Sequence, residues 1–278
     1  MINRYTIFGN PVEHSLSPRI HQLFAEQSQR RGEYTTTLST EDTFAKDVKS
    51  FQQAGGLGCN ITVPFKAQAF ELCDTVTEAA KVAGACNTIK FHADGKLVGH
   101  NTDGSGLLQD LKVGIGFEPA GKNLLIVGAG GATRGVLHPL LAEQPARLLI
   151  VNRTTERAEQ LATEFADYGN IEALGFEQLA NLNDAFDLVI NATSAGLQGE
   201  TAAVPGSIFS SSTCAYDFSY SRDVNKPDTA FLALAKSHNC NNTNDGMGML
   251  LEQAADAFFI WEDIRPKTRL IGPQVLAS

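Results

Sequence analysis

Three glycines, Gly128, Gly130 and Gly131, stand between the apolar run 124–127 and a segment with helical spacing. A strand that leads through a glycine-rich turn into a helix lets the backbone approach a pyrophosphate, which the free amides and the dipole of the helix N-terminus attract. Thr133 occupies the place of the third glycine in the usual dinucleotide fingerprint. Because the strand and helix context is present, the turn predicts a dinucleotide site. The alternative interpretation is a purely structural turn.

A second apolar run, 146–151, ends in Asn152, Arg153 and Thr154, and Arg157 follows closely. At this place an acidic side chain would accept from a free ribose 2′-hydroxyl, whereas guanidinium groups pair with a 2′-phosphate. The sequence therefore predicts NADP rather than NAD as the cofactor. The alternative is that both arginines are ordinary surface residues.

Two residues are candidates for proton transfer, which a nicotinamide enzyme needs when hydride moves to or from a carbonyl carbon. Lys66 follows a polar strand end and Pro64, and Asp103 lies in the polar, glycine-rich stretch 99–106. The alternatives are a solvated surface lysine and an aspartate that serves as the N-cap of a helix over 106–112.

Two hydroxyl groups, those of Ser15 and Ser17, come just before a helix near the N-terminus. Ser17 precedes Pro18 and is predicted to be the N-cap, which leaves Ser15 free. Two hydroxyls beside a helix N-terminus suit the binding of a carboxylate.

Strand-like and helix-like segments alternate along the chain, which predicts the α/β class. Before the glycine turn we expect strands over 5–9, 34–38 and 58–63, helices over 18–31, 40–54 and 65–73, and a hairpin of 87–91 with 96–99. A dinucleotide domain opens near its glycine-rich strand, so these segments form a separate unit, with a boundary near 101–103. An amphipathic helix over 249–261 is expected to pack back on that first unit.

The composition is that of a globular protein and argues against several function classes. The 278 residues carry a formal net charge of −9, which argues against a broad nucleic-acid or anionic-membrane surface. The five cysteines form no Cys-x-x-Cys pair and no two histidines have helical i, i+4 spacing, so we expect neither disulfide nor metal. Without a long apolar segment or a signal-like N-terminus, the expected location is the cytoplasm.

Eight motifs, in order and over nearly the whole length, resemble the shikimate dehydrogenase family, whose members reduce 3-dehydroshikimate to shikimate with NADPH. They are Ser15-Leu16-Ser17-Pro18, the segment 60–66, Gly84-Ala85-Cys86-Asn87-Thr88, Asn101-Thr102-Asp103-Gly104, the segments 128–132 and 152–157, Asn191-Ala192-Thr193-Ser194, and the segment 245–250 with Gln253. The resemblance implies an α/β fold with a substrate domain, 1–102 completed by 246–278, and a Rossmann-like NADP domain, 103–245.

The resemblance also implies a role for each matching position. Lys66 and Asp103 form the catalytic pair, with Lys66 as the proton donor or acceptor at the C3 oxygen. The implied substrate ligands are Ser15 and Ser17, with Tyr220, for the carboxylate, and Thr62, Asn87, Asp103 and Gln253 for the ring hydroxyls. The implied cofactor ligands are Glu78, Gly128, Ala129, Gly130, Gly131, Ala132, Asn152, Arg153, Thr154, Arg157, Phe218 and Gly246.

Two departures from the family pattern lie after the last nucleotide-domain strands. Tyr220 is followed by a longer loop, 221–227, than the usual Tyr-x-Pro-x-x-Thr, and Phe218 stands where methionine is common. The expected partners are a small-molecule substrate and NADP, without nucleic acid or membrane, in a monomer or homodimer. The rival hypotheses are a quinate/shikimate dehydrogenase that accepts NAD, and a non-catalytic NADP-binding sensor.

Overall fold

The computed structural model describes residues 2–182, 185–193, 204–221 and 228–275. The chain divides into two compact units, one of 1–106 with 251–278 and the other of 107–250. In the part of the chain that is described, no helix combines the length and the apolar character needed to cross a bilayer.

The first unit contains a mixed sheet of six strands in the order β2-β1-β3-β5-β6-β4. Its elements are β1 (Asn3–Gly9), α1 (Ser17–Gln27), β2 (Gly32–Leu38), α2 (Phe44–Gln53), β3 (Gly58–Ile61), α3 (Lys66–Leu72), β4 (Thr75–Val76), α4 (Glu78–Ala83), β5 (Thr88–Phe91), β6 (Leu97–His100) and α5 (Asp103–Gln109), the last of which continues into the second unit. Strand β1 is parallel to β2 and β3, whereas β5 is antiparallel to β3 and β6. The hairpin predicted from the sequence is therefore confirmed.

The second unit contains six parallel strands in the order β12-β11-β10-β7-β8-β9. Its elements are a π-helical turn (Asp110–Gly114), β7 (Asn123–Val127), α6 (Gly131–Ala142), β8 (Arg147–Asn152), α7 (Thr155–Phe165), β9 (Ile171–Gly175), α8 (Phe176–Leu179), β10 (Leu188–Asn191), β11 (Cys214–Asp217), α9 (Ala230–Ser237) and β12 (Asn242–Asn244), with single 3-10 turns at 166–168 and 206–208. Numbered from β7, the order is 3-2-1-4-5-6, the Rossmann arrangement, in which the order reverses between β7 and β10.

Each sheet packs its own apolar core. The core of the first unit includes Phe8, Phe44, Ile61, Phe65 and Ile89, with Phe44 and Phe65 stacked 4.8 Å apart. The second unit buries the apolar residues of β7 and β8 completely, together with side chains from β10, β11 and α9. These runs are apolar on both faces, as expected for parallel strands that helices cover on both sides.

A long helix, α10 (Met247–Glu262), begins in the second unit and ends in the first, followed by α11 (Gly272–Val275). The Trp261 ring stacks on Tyr5 at 4.5 Å, and its Nε1 donates to the carbonyl of Ile89 at 3.0 Å. Tyr5 in turn donates from its hydroxyl to Glu262 Oε1 at 2.7 Å. The C-terminal helix therefore returns to the first unit, as the sequence predicted.

Helix boundaries differ from the predictions where local hydrogen bonds end the helix early. Helix α1 was predicted to continue to Arg31 but ends at Gln27. The amide of Arg30 donates back to the carbonyl of Ala25 across Gln29, whose φ is +53°. This hydrogen bond around a left-handed residue is a Schellman motif, which ends the helix. The polar residues 28–31 are compatible with a helix by type, so the sequence pattern did not reveal this end.

Candidate active site

The Lys66 and Asp103 side chains form an ion pair, with 2.6 Å between Nζ and Oδ2. Lys66 is the first residue of α3 and Asp103 is the first residue of α5. The Asp103 side chain is only 11% exposed, whereas that of Lys66 is 30% exposed. An ammonium that a small molecule can reach is thus held by a carboxylate that water scarcely reaches, an arrangement suited to general acid–base chemistry.

The interpretation of Asp103 as an N-cap is wrong. Helix α5 begins at Asp103 itself, and the amide of Asp103 donates to Asn101 Oδ1 at 3.1 Å. Asn101 also donates from Nδ2 to the carbonyl of Ala85 at 3.0 Å. Because Asn101 satisfies the amide at the start of the helix, the Asp103 carboxylate is left for Lys66 and Asn87.

Asn87 connects the ion pair to α10. Its Nδ2 donates to Asp103 Oδ1 at 2.8 Å and to Thr102 Oγ1 at 2.9 Å, and it lies 3.4 Å from Gln253 Oε1. The Thr102 hydroxyl donates to the carbonyl of Gln253 at 3.0 Å. The structure therefore brings together four of the predicted site residues: Lys66, Asn87, Asp103 and Gln253.

The hydroxyl residues predicted to bind a carboxylate lie at the start of α1. Ser17 is not the N-cap, because Leu16 holds that position and Ser17 is the first helical residue. Instead, Ser15 Oγ accepts from the amide of Ser17 at 3.2 Å. Thr62, the third predicted hydroxyl ligand in this unit, donates from its amide to the carbonyl of Phe8 just after β3 ends.

The glycine turn after β7 has room for a phosphate group. Gly128 has φ of +112°, and a Cβ there would approach the backbone of Ala192 at 3.1 Å, so only glycine suits the position. A Cβ on Gly130 or Gly131 would meet no atom within 4 Å. The Thr133 hydroxyl donates to the carbonyl of Gly128 at 2.8 Å, which ties the turn to the first turn of α6.

The end of β8 is tied to the glycine turn. Asn152 Oδ1 accepts from the amide of Ala129 at 3.2 Å, and Asn152 Nδ2 donates to the carbonyl of Thr154 at 2.9 Å. Arg153, Thr154 and Arg157 follow. Both arginines are exposed, and neither guanidinium is hydrogen-bonded or paired within the described ranges. Two such cations beside a dinucleotide turn fit the 2′-phosphate of NADP. Ala132 follows the glycines in the first turn of α6.

The last residues of β10 and β11 are joined by a buried hydrogen bond. Asn191 Nδ2 donates to Asp217 Oδ1 at 3.0 Å, and Asp217 also accepts from the Ser219 amide and the Thr229 hydroxyl. Burial raises the pKa of Asp217, and these donors oppose that rise. The network fixes the carboxyl ends of both strands, where dinucleotides bind in parallel α/β sheets.

Other predicted site residues also lie in defined positions. A Cβ on Gly246 would come within 2.2 Å of the Phe218 carbonyl oxygen, so close packing requires glycine there. Tyr220 belongs to the second unit, and Glu78 is the first residue of α4 in the first unit. Ser194 and the loop segment 222–227 lie outside the described residues.

Several buried polar residues that support the site were not predicted from the sequence. Thr102 bonds Asn87 and Gln253, while Asn60 and Thr88 bond to one another and to Asn87. Thr88 is fully buried and Asn60 is 6% exposed. The asparagine in β3 and the threonine at the start of β5, both in buried strand positions, were the available signal, because a buried polar side chain needs a specific partner. Among the described residues, no group of three or more acidic, histidine or cysteine side chains is arranged to hold a metal ion.

Comparison with known proteins assigns both units of the chain to one family. Residues 7–89 match the model of the shikimate dehydrogenase substrate binding domain, and residues 114–228 match that of shikimate / quinate 5-dehydrogenase. A shikimate dehydrogenase (NADP(+)) from Aeromonas salmonicida strain A449 is 49% identical over 270 residues, which cover 97% of this chain and 96% of the relative.

Solved structures resemble the fold over almost its full length. An Ael1 enzyme from Pseudomonas putida has 39% identity and a TM-score of 0.89, with 98% of each chain covered. Shikimate 5-dehydrogenase from Thermus thermophilus, in complex with NADP(H) and shikimate, has 30% identity and a TM-score of 0.84, again with 98% of each chain covered. The likeness therefore extends to a structure that holds both a substrate and a dinucleotide.

Proposed function

This chain belongs to the shikimate dehydrogenase family, and we propose that it catalyses the reversible reduction of 3-dehydroshikimate to shikimate with NADPH. It is an NADP-dependent oxidoreductase with a Rossmann-type unit. The observation that carries the proposal is the Lys66–Asp103 ion pair joined to Asn87 and Gln253. A sensor without turnover would not need this pair.

In the proposed reaction the bound NADPH supplies a hydride to the carbonyl carbon. Lys66 donates a proton from its ammonium to the ketone oxygen, so that the carbonyl becomes a hydroxyl, and it accepts that proton in the reverse direction. Asp103 holds the ammonium in place and accepts a hydrogen bond from a ring hydroxyl. The hydrogen bond from Asn87 to Asp103 Oδ1 supports this role, because it fixes the carboxylate whose other oxygen, Oδ2, contacts the Lys66 ammonium.

Substrate binding in this proposal uses neutral donors for an anionic acid. Ser15, Ser17 and Tyr220 donate to the carboxylate, while the remaining predicted ligands, Thr62, Asn87, Asp103 and Gln253, bind the ring hydroxyls. The interaction of the Ser17 amide with Ser15 supports this, since it sets the Ser15 side chain beside the start of α1. The hydroxyl donors and the partial positive charge of the helix N-terminus would both attract the carboxylate.

Cofactor binding is proposed for the second unit. The turn 128–132 would hold the pyrophosphate, and the segment 152–157 would hold the adenosine end, with Arg153 and Arg157 on the 2′-phosphate. The open space at Gly130 and Gly131 and the two exposed, unpaired guanidiniums support this assignment within the part of the chain that is described. Glu78, Phe218 and Gly246 are proposed as further cofactor contacts.

A cytoplasmic location and a monomeric or homodimeric state stay predictions from the sequence.

The experiment that tests the function is the absorbance of NADPH formed by the purified protein from shikimate and NADP. We expect rapid reduction of NADP and little of NAD, because no acidic side chain directly follows β8 to accept from a free ribose hydroxyl. Quinate replaces shikimate in a parallel assay. Equal efficiency with NAD, or with quinate, would favour the quinate/shikimate type, and no turnover with any pair would favour the sensor.

A further inference from the structure

A chain of hydrogen bonds leads from Tyr34 through Asn60 and Thr88 to Asn87, and it is buried from Asn60 onwards. The Tyr34 hydroxyl donates to Asn60 Oδ1 at 2.7 Å, and Asn60 Nδ2 donates to Thr88 Oγ1 at 2.9 Å. The Thr88 hydroxyl then donates to Asn87 Oδ1 at 3.0 Å. Asn60 and Thr88 are register partners on the antiparallel strands β3 and β5.

The direction of every bond in this chain is fixed by its neighbours. Asn60 Nδ2 also lies 3.2 Å from the backbone carbonyl of Asn87. Because a carbonyl can only accept, the Asn60 side chain must direct Nδ2, and not Oδ1, towards Asn87 and Thr88. The Thr88 oxygen therefore accepts from Asn60, and its single proton is left for Asn87 Oδ1. Asn87 Oδ1 also accepts from the backbone amide of Thr102 at 3.0 Å. With its oxygen held by two donors, Asn87 must present Nδ2 to Asp103.

We propose that Thr88 is a positioning residue for the reaction, and that its hydroxyl orients the Asn87 amide so that Nδ2 remains on Asp103. This inference rests on the proposed function. The Thr88 side chain is fully buried, and it acts through Asn87 rather than on the substrate. The substrate therefore meets an amide and a carboxylate whose orientations are set before it binds, which spares the cost of ordering them in the transition state.

Removal of the hydroxyl leaves two buried polar groups with one partner fewer. Asn60 Nδ2 loses one acceptor and keeps the carbonyl of Asn87. Asn87 Oδ1 loses one donor and keeps the Thr102 amide at 3.0 Å and the Thr102 hydroxyl at 3.2 Å. The Asn87 amide is then held less firmly, because only Thr102 still contacts its oxygen, and its hydrogen bond to Asp103 loosens. Because Asp103 is proposed to hold the Lys66 ammonium that transfers the proton, a weaker Asn87–Asp103 bond affects turnover as well as stability.

The test compares Thr88→Val with Thr88→Ser and with a matched control, Thr6→Val. Thr6 is also fully buried and lies on β1 of the same sheet, and its hydroxyl bonds to β2, at Thr35 and Thr37. Both valine variants thus lose a buried strand hydroxyl, but only one is linked to Asn87. We measure kcat and KM for shikimate and for NADP well below each variant's Tm.

We expect Thr88→Val to lower kcat/KM for shikimate about tenfold, the size expected when one buried hydrogen bond is lost, with the KM for NADP unchanged. Thr88→Ser keeps the hydroxyl and should restore most of the activity. Thr6→Val should lower Tm but leave the kinetic constants within about twofold. Equal kinetics in the two valine variants, or no rescue by serine, would overturn the role of Thr88. A wild-type protein that fails to oxidise shikimate would instead overturn the proposed function.

Discussion

The Lys66 ammonium lies 2.6 Å from Asp103 Oδ2, and the main chain of both residues is held by its own hydrogen bonds. The carbonyl of Lys66 accepts from the amide of Cys86 at 2.9 Å, one residue before Asn87. The amide of Asp103 donates to Asn101. The segments that carry the ammonium, the carboxylate and the amide are therefore bound to one another, and the geometry of the pair belongs to the folded first unit.

Replacement of Lys66 by alanine should abolish most turnover and leave NADPH binding nearly unchanged. A general acid or base typically contributes at least about a hundredfold to the rate, and the alanine side chain carries no transferable proton. Steady-state rates with shikimate and NADP measure the first effect, and a fluorescence titration with NADPH measures the second. Lys96→Ala is the control, because Lys96 forms an exposed ion pair with Asp94 in the same unit.

Rates in Lys66→Ala that match those of Lys96→Ala would show that another group transfers the proton. A variant that lost both turnover and NADPH binding would point to a general loss of structure, which circular dichroism would reveal. Only the loss of turnover with intact NADPH binding agrees with the proposed role.

Replacement of Arg153 or Arg157 by alanine should weaken NADP more than NAD. A hydrogen bond to a charged group is worth about 1.5–3 kcal/mol, so the KM for NADP should rise about tenfold to a hundredfold for a guanidinium that binds the 2′-phosphate. Arg147→Ala is the control, because Arg147 begins β8, the strand that precedes Arg153, but pairs with Glu172 at 2.8 Å. An unchanged ratio of NADP to NAD efficiency in both variants would contradict the assignment.

Much of the fold was predictable because long apolar runs mark the buried strands. The strands β7 and β8 match the predicted runs almost residue for residue, since all their apolar side chains are buried. The helix ends were less predictable. Two hydroxyl or carboxylate residues, Ser17 and Asp103, suited an N-cap by type, but Ser15 and Asn101, two positions earlier, bond their amides instead.

The candidate chemistry-bearing residues could be singled out from the sequence, but the residues that orient them in the structure could not. Lys66 and Asp103 stand out because each follows a strand end in a polar stretch. Thr88 and Asn60 become partners only through the antiparallel register of β3 and β5, and that pairing depends on contacts distant in the sequence. Local patterns carry little information about such cross-strand polar pairs.

The glycines of the turn should differ in the effect of an added methyl group. Gly128→Ala places a side chain at φ of +112° against the Ala192 backbone, so it should lower the free energy of unfolding by about 1–3 kcal/mol and also weaken NADP binding. Gly130→Ala has open space and should leave Tm within about 2 °C while it raises the KM for NADP, because the methyl group occupies the phosphate space. Thermal unfolding and NADP kinetics measure the two effects. A Gly130→Ala variant with normal NADP kinetics would contradict the phosphate site.

Acid should destabilise the protein partly through His21. The His21 ring is 4% exposed and stacks on Tyr34 at 4.2 Å, and burial lowers its pKa from 6.5 to about 3. The unfolded chain therefore binds a proton that the folded chain does not between about pH 3 and pH 6.5. The stability from this group is complete above about pH 6.5 and declines as the pH falls towards the folded pKa.

His21→Phe retains an aromatic ring for the stack and removes the titration. When the pH is lowered from about 7 to about 4.5, we expect the free energy of unfolding to fall less in this variant than in the wild type. The difference between the two proteins should grow by about 1.4 kcal/mol for each pH unit below 6.5. Urea unfolding at several pH values measures the difference. His92→Gln, which removes an exposed histidine of the same unit, is the control. Parallel curves for His21→Phe and the wild type would show that His21 does not contribute to the acid sensitivity.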